Sequence, residues 1–189
     1  MPKISCGFCL CGSFCTFDRA IAALSLLVEH YDVYPIMSFN AYSTDTRFGK
    51  AEEHIERIEA LCKRRVMHSL VDVEPIGPRS LLDILVVCPC TGNTLAKLAQ
   101  GIADTPVTLA VKSHLRNLRP VVIAVSTNDA LSAAAKNIGE LHNRKNIFFV
   151  PYKQDDSQRK PCSIVADFSQ LLPAVRAASE GRQLQPVLL

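Results

Sequence analysis

Short, wholly apolar runs alternate along the chain with longer stretches in which apolar residues recur at helical spacing. Residues 4–10 predict a first strand, broken by Cys11-Gly12-Ser13. From Thr16, a predicted N-cap, apolar side chains follow at Ile21, Leu24, Leu27, Val28 and Tyr31, with Asp18 at the positive end of the helix dipole. Residues 33–37 predict a second strand. The polar stretch 38–50, with Asn40, Ser43, Thr44, Asp45, Thr46 and Gly49, reads as a functional loop. An amphipathic helix comes next, with Ala51, Ile55, Ile58 and Leu61 on one face and Glu52, Glu53, Glu56 and Glu59 on the other. A weaker strand is expected at 66–71, and Pro75, Gly77 and Pro78 punctuate the link after it.

Residues 83–88 form the clearest buried strand, which Pro89 ends, and a helix opens near 91–93. Further elements are expected at 106–118 (helix), 121–125 (strand), an Ala-rich helix after Asp129, 147–150 (a last strand) and 168–180 (C-terminal helix). Continuous apolar strands separated by helices imply a parallel sheet covered on both faces. The expected fold is therefore α/β, a flavodoxin-like (Rossmann-like), three-layer, doubly wound parallel sheet. No repeat, low-complexity segment or linker divides it, so residues 1–189 are expected to form one domain with a C-terminal tail at about 181–189.

Composition narrows the function classes. A hydrophobic fraction of 48% and a charged fraction of 21% are those of an ordinary globule, which weighs against disorder. The net charge is only +3, and the densest basic run, Lys63-Arg64-Arg65, ends a predicted helix, where it complements the dipole. No nucleic-acid partner is expected from so sparse a footprint. No apolar run approaches the ~20 residues of a membrane span, and the N-terminus lacks a signal-peptide pattern. The expected location is the cytoplasm, with no membrane partner. Six of the eight cysteines lie at 6, 9, 11 and 15 and at 88 and 90, a poor disulfide framework.

In doubly wound sheets ligands sit beyond the carboxyl ends of the strands. Small hydroxyl and amide residues collect there: Cys11-Gly12-Ser13, Ser38 with its polar sequel, Pro89-Cys90-Thr91-Gly92-Asn93-Thr94, and Ser126-Thr127-Asn128. Any one of these loops reads equally well as a helix cap. Together, on one sheet edge, they point to a phosphorylated ligand. With no Gly-x-Gly-x-x-Gly after the first strand and no Walker-type motif, a mononucleotide such as FMN is the natural occupant.

Pro89-Cys90-Thr91-Gly92-Asn93-Thr94 is similar to the Pro-Ala-Ser-Ala-Asn-Thr motif of the flavin-containing cysteine decarboxylase superfamily. Within it, residues 44–52 (Thr44-Asp45-Thr46-Arg47-Phe48-Gly49-Lys50-Ala51-Glu52), 115–131 and 181–188 resemble the B subunits of dipicolinate synthase, so the likeness spans the chain. The resemblance implies a component of an oxidoreductase that contributes, in the mother cell of a sporulating bacterium, to oxidation of a dihydrodipicolinate-type precursor to dipicolinate (pyridine-2,6-dicarboxylate). It implies a partner A subunit carrying NADP, a homo-oligomer, and FMN held or bordered by Gly12, Ser13, Ser38, Thr91, Asn93, Thr94 and Asn128. Two alternatives stay open: a non-catalytic partner with a vestigial flavin site, and an FMN-dependent decarboxylase-like enzyme.

A substrate with two carboxylates suits guanidinium forks. Arg47 and Lys50 in the polar loop are the substrate candidates, with Arg116 and Arg119 also available and Arg47 preferred. No catalytic residue is assigned. Cysteines stand at a Gly-like position (Cys9) and a Thr-like position (Cys11) of the superfamily's first loop, and flavodoxin strand order would set them beside Cys88 and Cys90. Core filling is the expected role of these thiols, and no metal is assigned. His68 lies loosely where related decarboxylases carry a catalytic histidine, while His30, His54, His114 and His142 are expected on helix surfaces.

Overall fold

A computed structural model describes residues 3–189. Strand β1 (Ile4–Leu10) leads through helix α1 (Phe17–His30) to β2 (Tyr31–Met37). Helices α2 (Phe39–Ser43), α3 (Ala51–Cys62) and α4 (Leu70–Val73) then return the chain to β3 (Ile84–Cys90). After α5 (Gly92–Gln100) and α6 (Pro106–Leu115) come β4 (Val121–Thr127), α7 (Ala135–His142) and β5 (Ile147–Phe149). The chain closes with β6 (Tyr152–Asp156), β7 (Lys160–Ala166) and α8 (Leu171–Ser179).

The sheet order is β2-β1-β3-β4-β7-β6, with β5 also paired to β4. Strands β1 to β5 are parallel, in the flavodoxin order 2-1-3-4-5. The expected class therefore stands, a parallel-dominated sheet wound on both sides. Helices α1 and α8 pack together on one face, joined by α3, while α6 packs with α4 and α5 on the other, where α7 also meets α5. The core strand β3 is buried at every residue, and Val121–Ser126 of β4 are buried likewise. Such strands read as continuous apolar runs because helices cover both of their faces.

Several expectations change. Residues 147–150 are not the last strand, because an antiparallel hairpin of β6 and β7 follows. The edge of β4 is divided: Val121–Ile123 pair with β5, and Ser126 and Thr127 pair with Val165 and Ile164 of β7. Residues 66–71 contribute only a bridge from Met67 to Ile36 before Ser69 caps α4. Strand β3 runs on through Pro89 to Cys90, with a register shift against β4. The segment 38–50 is not all loop either, since α2 forms inside it.

The tail also has a place. Backbone N–H groups of Tyr152 and Leu189 donate to Val187 and Tyr152 carbonyls, both at 3.0 Å, and the Gln183 amide brackets Phe149 at 2.7 Å on each side. Among the described residues, no helix is long and apolar enough to cross a membrane.

Two histidines expected on surfaces are buried, His54 at 4% and His114 at 1% exposure. Both rings turn inward from helices whose adjacent positions are only partly buried or exposed. Burial pushes the His114 imidazole down to about 4, against a hydrogen-bonding contact of Nε2 with the Pro120 carbonyl at 3.1 Å. Because the folded state resists this protonation, stability is full above the ordinary histidine value and is lost as pH falls towards 4. Between pH 7 and 4 the chain is expected to lose about 3 kcal/mol more unfolding free energy than His114→Gln does. Denaturant titrations of both proteins across that range check this. Tight strand packing gives a second prediction. Gly7 stands between Tyr34 and Leu85 in the register, and a Cβ there would lie 2.4 Å from Leu85 Cδ1 and 2.6 Å from Leu82 Cδ1. Gly7→Val is expected to cost about 1–3 kcal/mol by overpacking, seen as a lower denaturant midpoint at unchanged slope.

Candidate functional site

The strand order reverses between β1 and β3, and two adjoining clefts open beyond their carboxyl ends. The larger, of about 710 Å³, lies among the loop after β1, the turn at 46–49, the start of α5, the loop after β4 and the β6–β7 hairpin. The smaller, of about 410 Å³, extends towards Ser38, Asn40 and Thr105. Gly12, Thr91 and Asn93 border both, so they mark the junction. The larger volume falls within the ~300–1,000 Å³ of small-molecule sites.

Backbone ties fix the loops at this junction. Cys11 N–H donates to the Pro89 carbonyl at 3.2 Å, and Ser38 N–H to the Leu10 carbonyl at 2.9 Å. Ser13 and Ser126 hydroxyls meet at 2.8 Å, linking the loops after β1 and β4. Thr91 caps α5, its hydroxyl accepting from Thr94 N–H at 3.3 Å and donating to the Thr94 hydroxyl at 3.1 Å. Ser38 caps α2 in the same way, accepting from Ala41 N–H at 3.3 Å.

Two glycines behave differently. A Cβ on Gly92 would stand 2.7 Å from both Asp129 Oδ1 and Thr127 Oγ1, two atoms that share a 2.6 Å hydrogen bond. Glycine is needed there because that pair presses on the start of α5. A Cβ on Gly12 would meet only the Phe14 ring at 3.4 and 3.5 Å and Asn40 at 3.8 Å, ordinary contacts. Nothing in the chain's own packing demands a glycine at 12, and its bare backbone faces the junction of the clefts. That is the arrangement expected where a ligand approaches the main chain closely.

Of the residues singled out from sequence, Gly12, Ser13, Thr91, Asn93 and Asn128 line the larger cleft, and Ser38 and Thr94 the smaller. Arg47 also lines the larger cleft, at the tip of its turn. Lys50 borders neither; it sits at the start of α3, its N–H donating to Glu53 at 3.3 Å. Arg119 is at the opposite end of the strands, bonded to Leu82 and Asp83, and Arg116 lies near Gly77. His68 is stacked on Tyr42 at 3.7 Å, outside the lining of both clefts.

Sequence reasoning missed Arg19 and the hairpin residues Asp155, Lys160, Ser163, Ile164 and Val165. The signal for the hairpin was present: a polar run at 153–160 flanked by Tyr152 and the apolar 164–166. Asp155, at 2.6 Å, holds the Lys160 ammonium above its usual range.

Cys9, Cys88 and Cys90 are buried within the sheet, Cys11 is buried at the edge of the smaller cleft, and Cys15 is exposed and lines the larger one. Cys9 pairs with Val87 across β1 and β3, so the two clusters are neighbours. Burial raises the thiol pKa values of Cys9, Cys88 and Cys90 far up and that of Cys11 to about 11, the last eased by hydrogen bonds with Thr94 and Thr91. Protonated at neutral pH, they fill space. Among the described residues no group of three or more His, Cys, Asp or Glu side chains is arranged to hold a metal ion.

A family model described as Flavoprotein matches residues 1–171. The chain is 44% identical over 184 residues to the B subunit of dipicolinate synthase of Bacillus subtilis (strain 168), covering 97% of this chain and 92% of that protein. It superposes on a crystal structure of the dipicolinate synthase B subunit from Bacillus halodurans C with a TM-score of 0.90 and 40% identity, covering 100% of this chain and 98% of that one. The fold alone is shared with Burkholderia xenovorans DmrB, solved in complex with FMN, at a TM-score of 0.69 and 19% identity, covering 93% and 94% of the two chains. The chain belongs to the Flavoprotein family.

Proposed function

We propose that the chain works as the B subunit of a dipicolinate synthase, holding FMN along the two clefts and contributing to oxidation of a dihydrodipicolinate-type precursor. The carrying observation is the junction at Gly12, Thr91 and Asn93, where a bare backbone, a helix start and an exposed amide converge beyond β1 and β3. The 44% identity to a dipicolinate synthase B subunit supports the choice of reaction. The reading places the work in a sporulating mother cell, beside an A subunit carrying NADP, in an oligomer of single-domain protomers.

Oxidation of the dihydro ring to an aromatic pyridine removes two electrons and two protons. A bound flavin supplies a two-electron acceptor. The chain's own part is placement. Free N–H groups at the start of α5, with the Ser38, Thr91 and Thr94 hydroxyls, suit a phosphate in the smaller cleft. Gly12 leaves room for a ligand close to the backbone. The larger cleft, walled by Phe14, Phe48, Asn128 and Ile164, then receives the ring and the substrate. The Ser13–Ser126 bond keeps its two sides in register.

A decarboxylase reading draws less support, because His68 is stacked on Tyr42 rather than lining either cleft.

Reconstitution with an A subunit tests the proposal. Dipicolinate formation is expected to depend on this chain and on added FMN. Asn93→Ala is expected to slow it about tenfold, the loss of one hydrogen bond worth about 1.4 kcal/mol. Formation at full rate by the A subunit without this chain would leave the chain a non-catalytic partner.

A further inference from the structure

Five charged side chains line the larger cleft: Arg19, Arg47, Lys160, Asp129 and Asp155. They are not equivalent. Lys160 is paired with Asp155 at 2.6 Å, and Asp129 accepts the Thr127 hydroxyl at 2.6 Å. Among the described residues, neither Arg19 nor Arg47 enters an ion pair. Each guanidinium instead lies over an aromatic ring, Arg19 at 5.0 Å from the Phe168 centroid and Arg47 at 4.8 Å from that of Phe48. Stacking locates a guanidinium without neutralising it and leaves its N–H edge free for an anion.

The two arginines reach the cleft from separate elements. Arg19 is in the first turn of α1. Arg47 is at the tip of a turn closed in both directions, Thr46 N–H to Gly49 carbonyl at 3.0 Å and Gly49 N–H to Thr46 carbonyl at 3.1 Å. Asp45 fastens that turn to α3 by accepting Ala51 N–H at 2.9 Å. Gly49, at φ +130°, packs on buried His54, where a Cβ would lie 2.7 Å from Nε2. The turn is therefore braced from below and holds Arg47 at the cleft.

We propose that Arg19 and Arg47 together bind the carboxylates of a small planar dicarboxylate in the larger cleft. The inference rests on the dipicolinate synthase reading for the identity of that ligand. A phosphate shares the anionic chemistry, but hydroxyls and the start of α5 already suit it in the smaller cleft. Two free guanidinium forks match two planar carboxylates.

The test is calorimetric titration of the full-length chain with dipicolinate, with and without FMN, for the parent, Arg19→Gln, Arg47→Gln and the Arg→Lys versions. Circular dichroism and thermal transitions confirm that each variant is folded. Picolinate, with one carboxylate, is titrated alongside, and FMN and riboflavin affinities are measured for each protein. Each Gln variant is expected to bind dipicolinate about tenfold or more weakly, with partial recovery in the Lys versions. The parent should prefer dipicolinate to picolinate, while FMN and riboflavin affinities stay within about twofold of the parent's. Unchanged dipicolinate binding in both Gln variants overturns the proposal, as does failure of the parent to bind it. Loss of FMN affinity with riboflavin and dipicolinate unaffected would assign the pair to a phosphate and also overturn it. Arginine-dependent dipicolinate binding by a parent that takes no FMN would uphold this inference while sinking the flavin reading.

Discussion

The structure depends on the pairing of β1, β3 and β4, three parallel strands sealed between helix layers. Residues of β3 are buried at every position, and the strand is paired to a neighbour on each side. Parallel strands cannot be joined by tight turns, so the connections among β1 to β5 pass through helices. The loops at the carboxyl ends thereby fall on one edge. Because β1 and β3 are neighbours with connections leaving to opposite faces, a crevice opens between them without any dedicated architecture. The clefts are a consequence of strand order, and their chemistry is a matter of which small residues occupy the loops.

The divided edge of β4 is what gives this crevice a further wall. Its first half pairs with β5 as any wound sheet would continue, but its second half pairs antiparallel with β7. The hairpin is thus attached where the strand ends, beside the cleft, and it brings Lys160, Ser163 and Ile164 into the wall. The braced turn carrying Arg47 and Phe48 supplies another part of that wall. The floor is rigid by construction: Ser13 and Ser126 are joined, and the Thr127–Asp129 pair leaves room only for glycine at 92.

Where burial is complete on both faces, composition and location coincide, and the sequence is easy to read. The runs at 84–88 and 121–125 read directly as central strands, and the loops after them border the clefts. The hairpin is harder. Strand β6 is an edge strand with Lys153, Gln154 and Asp155 exposed, so it lacks the apolar signature that marks its neighbours. Residues 66–71 mislead in the other direction, since that apolar stretch supplies only a bridge at Met67 and the start of a short helix at Leu70 and Val71. His54 and His114 sit at helical positions that spacing alone could place inside or outside; packing against Phe17 and the Pro120 carbonyl decides it. Arg19 is invisible for a similar reason. A cation in a first helical turn looks like an ordinary surface charge until the tertiary fold sets it in the same cleft as Arg47.

Whether the crevice between β1 and β3 is a flavin site is tested most directly by a fluorescence titration of the purified chain with FMN. Saturable quenching at one FMN per chain is predicted, with a dissociation constant on the order of micromolar or tighter, and weaker binding of riboflavin, which lacks the phosphate. Flavin emission that remains that of free FMN at roughly millimolar protein would contradict a flavin site, and would leave the hydroxyls of Ser38, Thr91 and Thr94 as helix caps alone.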